Sequence, residues 1–94
     1  MIVGACTLRL HLAGCLSLKS KRSRLKPLLA RLHREFNVAA AEVGLQEVWQ
    51  SADIAIVTVA NETTRVETQL DEIVKWVERS WPELEVVDAQ MELR

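Results

Sequence analysis

An α+β sandwich, one antiparallel sheet with two helices on one side, is the fold class this 94-residue chain predicts. Three observations carry it. Residues 2–12 alternate with a period of two, placing Ile2, Gly4, Cys6, Leu8, Leu10 and Leu12 on one face and Val3, Ala5, Thr7, Arg9 and His11 on the other. Two later stretches repeat their apolar residues at intervals of three and four, as one face of a helix does. Strand and helix patterns then follow each other as β-α-β-β-α-β, two split βαβ units within a single short domain spanning residues 1–94.

The first strand ends at "AGCLS". Leu18, Leu25, Leu28, Leu29, Leu32 and Phe36 then form one helical stripe, capped by Ser17 or Ser20 and ended by Asn37. Pro27 removes a backbone donor and restricts Lys26, so the stripe predicts one helix with a kink at that point. Residues 38–45, "VAAAEVGL", read as a strand rich in small side chains, with "QEVWQS" as the connection to a strongly apolar strand over 52–61. Val66, Leu70, Ile73, Val74 and Val77 mark the inner face of a helix over 62–80, which Trp81-Pro82 stops. Residues 83–93 form the last strand. Right-handed crossovers then order the sheet 4-1-3-2, the ferredoxin-like arrangement, with both helices on one face.

The formal net charge of −1 hides a strong asymmetry. Residues 1–41 hold eight cations and one acid, a net +7, and residues 42–94 hold four cations and twelve acids, a net −8. Such polarity points to an anionic partner. The cations concentrate in "SLKSKRSRLK", which contains Lys19, Lys21, Arg22, Arg24 and Lys26. At about 100° per residue, Lys19, Arg22, Lys26 and His33 fall on one flank of the first helix, and Arg24, Arg31 and Arg34 on the other flank and outer surface. Glu67, Asp71 and Glu78 form a flank of the same hand on the second helix. The handedness of the crossovers sends these two flanks to opposite edges of the helix layer. Cations in a first helical turn oppose the helix dipole, by about 0.3–1 kcal/mol each when exposed. A bound anion at the "SLKSK" turn, with Ser17 and Ser20 adding hydroxyls, would remove that conflict. Ser17, Lys19, Ser20, Lys21, Arg22, Arg24, Lys26, Arg31 and Arg34 are therefore the candidate nucleic-acid or anion-binding residues.

Several function classes are disfavoured. Gly14 stands alone, so there is no glycine-rich nucleotide loop, and no serine sits in a nucleophile elbow. Asp71 and Glu72 are adjacent on a helix and diverge. His11 and Cys15 lack the further ligands of a structural zinc site. The two cysteines are expected to be free thiols, and neither a cofactor nor a metal is expected. No apolar run reaches the roughly 20 residues of a membrane span, and the alternating start is unlike a signal peptide, which predicts a cytosolic protein with no membrane partner. The central strands carry no Phe, Tyr or Trp, so RNA binding by stacking on the open sheet face is not expected. That face instead offers Val3, Ala5, Val57 and Val59, apolar enough to suggest a homodimer. Trp49 is expected in the core or an interface, with an exposed stacking platform as the functional reading. Trp76 should lie toward the first helix or solvent, Trp81 should cover the core, and Arg9 should pair with Glu42 across strands.

The segments "SLKSKRSRLKPLLARLHREFNVAAAEV" and "VWQSADIAIVTVAN" resemble the YlxP-like domain-of-unknown-function family of small bacterial proteins. The most specific pieces are Ser17-Leu18-Lys19, Lys21-Arg22, Leu25-Lys26, Phe36-Asn37-Val38, Ala41-Glu42-Val43 and Trp49-Gln50. Pro27 departs from the family's more frequent Ser. The resemblance covers nearly the whole chain and implies a ferredoxin-like fold without a known catalytic activity. Genes of the family commonly lie between those for translation initiation factor two and ribosome-binding factor A, which implies a setting near the ribosome or its assembly. The expectation is a non-enzymatic protein bound to ribosomal RNA or a ribosomal particle. The alternatives are a small-anion module or a protein-binding adaptor using the basic edge. Acylphosphatases hold an anion at the corresponding corner of this fold with an Arg in a glycine-rich loop and an Asn. This loop lacks that Arg, although Asn61 is present.

Overall fold

The structure, a computed structural model, describes residues 1–94. Its elements are β1 (Ile2–Leu12), α1 (Leu18–Phe36), β2 (Ala39–Gly44), β3 (Ser51–Ala60), α2 (Thr63–Ser80) and β4 (Leu84–Leu93). The sheet runs β2-β3-β1-β4, which is the expected order read from the other edge, and every neighbouring pair is antiparallel. Neither helix is long and apolar enough to cross a membrane.

Period two decides which side of the sheet the helices cover. Cys6, Leu8, Leu10 and Leu12 of β1 are buried with Ala52, Ile54 and Ile56 of β3. Against them pack Leu25, Leu28 and Leu32 of α1 and Val66, Leu70, Ile73 and Val77 of α2. Complete burial of each such Leu, Ile or Val contributes about 1.5–3 kcal/mol before chain entropy is charged against it. A polar link crosses this core. Thr58 Oγ1 donates to Gln69 Oε1 at 2.7 Å, and Gln69 Nε2 donates to Phe36 O at 3.0 Å, so one α2 side chain ties β3 to the last turn of α1.

The helix ends follow their residues. Ser17 Oγ accepts from Ser20 N at 3.0 Å, and Asn37 closes α1 in the left-handed region at φ 53. The helix runs unbroken through Pro27. Ser23 and Pro27 are both exposed, so the carbonyl that loses its donor faces water and the defect is mild. The second strand is shorter than its composition suggests. Val38 turns into the core, its carbonyl 2.8 Å from His33 Nδ1, and Leu45 adopts φ 58, which ends the extended run.

Both cysteines are free and buried. Burial, and then the charge of Asp71, push the Cys6 thiol above its ordinary pKa, while Cys15 Sγ donates to Ser17 O at 3.4 Å. Cys15 belongs to the core, whereas His11 pairs with Ser51 on the uncovered sheet face, so the two do not form a catalytic couple. Native protein should resist a thiol reagent and titrate two thiols only after denaturation; rapid reaction of either in the folded state would contradict their burial.

Gly4 is where β1 passes closest to α2. A Cβ there would overlap Val66 Cγ1 and stand 3.2 Å from Leu70 Cδ1. Gly4→Val should therefore lower stability by about 1–3 kcal/mol in urea denaturation. An unchanged midpoint would mean that the helix is not seated on this strand as described.

Candidate nucleic-acid interface

The cations of α1 separate into two groups with different roles. Lys21 is the largest correction to the sequence reading. It is 1% exposed, and its Nζ donates to Leu45 O and Val48 O, both at 2.7 Å. Glu42 Oε2 lies 2.7 Å from the same nitrogen, off the hydrogen-bonding direction, so this third contact is a charge contact. A cation surrounded in this way has no face left for a phosphate. It clamps α1 to β2 and to the loop that follows. On the wheel of α1 Lys21 falls between the two flanks, one turn before the buried Leu25, but its partners, two loop carbonyls and an acid far along the chain, are not readable there.

Arg24 donates to Ala13 O at 2.8 Å and so holds the β1–α1 loop against the helix. Arg31 donates to Glu35 Oε1 at 3.1 Å and lies 5.2 Å from the centroids of both Trp76 and Trp81. Trp76 is turned to α1, edge-on to Phe36 at 5.1 Å, and Trp81 packs beside it over the core. Arg9 pairs not with Glu42 but with Asp53, its cross-strand neighbour, through Nε at 2.9 Å and Nη2 at 3.0 Å. That hydrogen bond holds the Asp53 carboxyl below its ordinary pKa. Glu42 points to the helix side and takes Lys21 instead, because it opposes Ile54, whose side chain is buried beneath the helices.

Lys19, Arg22, Lys26 and Arg34 form the second group. All four are exposed, and none makes an ion pair or hydrogen bond within the protein. Arg22 and Lys26 border a groove of about 390 Å³ together with Leu25, Leu29, Ala30 and Glu42, which places this flank over the β2 edge. Arg22 also borders a second cleft with Gln46 and Glu47 of the β2–β3 loop. α1 packs against β2 and α2 against β1 and β4, so the acidic flank lies over the other half of the sheet, and no ion pair joins Glu67, Asp71 or Glu78 to the cations of α1. The two charged flanks do not neutralise each other.

Ser17 uses its hydroxyl to cap the helix. Ser20 donates its backbone N–H to that cap, and its side chain is half-buried. Trp49 departs from the core half of its expectation, core or interface. It is not in the core but 50% exposed, on the loop that Lys21 clamps.

Fold and surface together define a class, a small ferredoxin-like domain with oppositely charged flanks on its two helices. The family profile described as a protein of unknown function, DUF503, matches residues 3–91, and the chain belongs to that family. The uncharacterised protein YlxP of Bacillus subtilis (strain 168) is 36% identical over 69 residues, which are 73% of this chain and 74% of that protein.

Removing the Lys21 side chain leaves two carbonyls and Glu42 without their cation. Lys21→Ala should cost about 3–5 kcal/mol in urea denaturation, and Lys19→Ala should stay within about 0.5 kcal/mol of the parent. Equal effects of the two substitutions would contradict the division of the cations.

Proposed function

We propose that this chain is a non-catalytic RNA-binding protein that attaches to ribosomal RNA or a ribosomal particle through the exposed flank of α1. The observation that carries the proposal is the unpartnered row Lys19, Arg22 and Lys26. Their spacing places three cations along about 10 Å of helix axis, a span suited to neighbouring phosphates of one strand. Arg34 extends the charge toward the helix end. Lys21, Arg24 and Arg31 support the surface from beneath and make no contact in this reading. Contacts of this kind position a nucleic acid without reading its sequence.

The small-anion alternative is less favoured. In the "AGCLSLKSK" loop, the Ser17 hydroxyl is engaged in the cap and the nearest guanidinium, Arg24, is engaged with Ala13 O. The adaptor alternative has one observation in its favour: the groove beside β2 is floored by Leu25 and Leu29, which an extended acidic peptide would also fit. In the same reading a second copy covers the open sheet face, where Val59 is well exposed beside Val3, its partner across the strands.

The test is binding of the purified protein to small-subunit ribosomal particles and bulk ribosomal RNA over a salt series. The parent should bind with an affinity that falls steeply with salt. A Lys19→Glu, Arg22→Glu, Lys26→Glu variant with a native far-UV spectrum should bind far more weakly, with a salt slope reduced by about 2 if the strand is single. Absence of binding by the parent at low salt would overturn the proposal and direct the search to acidic peptides.

A further inference from the structure

Three of the four aromatic side chains, Phe36, Trp76 and Trp81, pack together at one end of the helix layer. The fourth, Trp49, is apart from them and half in water. Its neighbour Val48 is 44% exposed. Two large apolar side chains left outside the core would be unremarkable on a mobile loop, but the backbone of this one is held at Leu45, Val48 and Gln50.

Leu45 occupies the left-handed region at φ 58, a conformation that a branched side chain adopts only when its surroundings impose it. Val48 N donates to Leu45 O at 3.0 Å, closing the turn. The carbonyls of Leu45 and Val48 both accept from the buried Lys21 ammonium. Immediately beyond Trp49, the Gln50 carbonyl accepts from Leu12 N of β1 at 2.9 Å. Trp49 is thus an exposed indole on a backbone fixed at the residues on both sides of it. Burying an ammonium is costly unless every partner is in place, and the partners here are the loop itself. The ordering entropy of such a loop is lost in folding and not at the moment of binding.

Lys21 lies between Lys19 and Arg22 on α1. The side chain that fixes the loop therefore also ties it to the helical turn that carries two of the free cations. Free cations on a helical turn that is tied to a loop carrying an exposed aromatic ring are the combination that binds single-stranded nucleic acid, because every base has a face to stack while its phosphate is held. A duplex cannot use the ring, since its bases are stacked within the helix. We infer that Trp49 is a stacking platform for one unpaired base, and that the RNA bound at α1 is single-stranded where it crosses the β2–β3 loop. The inference rests on the RNA-binding reading above and adds the strandedness of the ligand and the residue that selects it. The open sheet face plays no part in it, since β1 and β3 carry no Phe, Tyr or Trp.

The experiment titrates the full chain with three probes at one salt concentration: a short single-stranded RNA, its duplex, and the same single strand with abasic sites. Trp49→Ala and Trp49→Phe are measured beside the parent and a Lys19→Glu, Arg22→Glu variant. The parent should prefer the single strand to both other probes. Trp49→Ala should weaken single-strand binding about 5- to 140-fold, the range a stacked base contributes, with the salt slope unchanged. Trp49→Phe should recover most of the loss. Trp49 is exposed, so both variants should keep the parent's spectrum and melting point. If Trp49→Ala binds the single strand as the parent does, or the duplex binds equally well, while Lys19→Glu, Arg22→Glu still loses binding, the platform is refuted and the phosphate reading survives. If the parent binds none of the probes at low salt, both are refuted.

Discussion

A single buried ammonium organises this molecule's basic edge. Lys21 leaves the first turns of α1, passes under the helix and meets Glu42 on β2 and two carbonyls of the β2–β3 loop. In that one contact it joins a helix, an edge strand and a connection. The β2 end of the sheet is otherwise weakly built. Its strand has six residues, three of them alanine, and Ala39 and Ala41 face away from the helices. Charge and hydrogen bonding do there what close packing does around Leu8, Ile54 and Leu70 at the centre. Such an arrangement is intolerant of partial loss, because a buried cation without its partners is worse than none.

The electrostatic layout follows from the topology. Two right-handed βαβ units turn similar flanks of their helices toward opposite halves of the sheet, so a basic α1 and an acidic α2 give a domain with opposite charges on its two sides. The near-zero net charge conceals this. At the acidic side an RNA would be repelled, and at the basic side attracted, which orients the approach before any contact forms. Glu47 borders the same cleft as Arg22, so the basic surface has a defined end at the β2–β3 loop.

Where the sequence was legible, a period or a cap made it so. The alternation of residues 2–12 located β1 and its buried face residue by residue, and the stripe from Leu18 to Phe36 located α1 despite Pro27. Asn37 marked the helix end because few residues other than glycine accept a left-handed backbone. The strand order came from handedness alone. The candidate interface was only half legible. Helical spacing found the flank of Lys19, Arg22 and Lys26, but gave Lys21 the same standing as its neighbours, although its position between the flanks carried a hint that it turns inward. Its partners are a glutamate 21 residues on and carbonyls 24 and 27 residues on, contacts that no local pattern encodes. Glu42 was assigned to Arg9 for the same reason, since strand register and not residue type decides which acid a cation meets. The core placement of Trp49 failed: a tryptophan in a short connection ordinarily folds back onto the core, whereas here the backbone on either side of it is held at Val48 and Gln50 with the indole half in water.

The central claim is that neighbouring cations of one helix divide into those that hold the protein together and those that are free for a ligand. Lysine acetylation of the native protein, read residue by residue by mass spectrometry with and without ribosomal RNA, tests it most directly. The account predicts that Lys19 and Lys26 react readily and are protected by RNA, while Lys21 stays unmodified in both samples until the protein is unfolded. Reaction of Lys21 at the rate of Lys19, or Lys19 and Lys26 reacting equally with and without RNA, would contradict it.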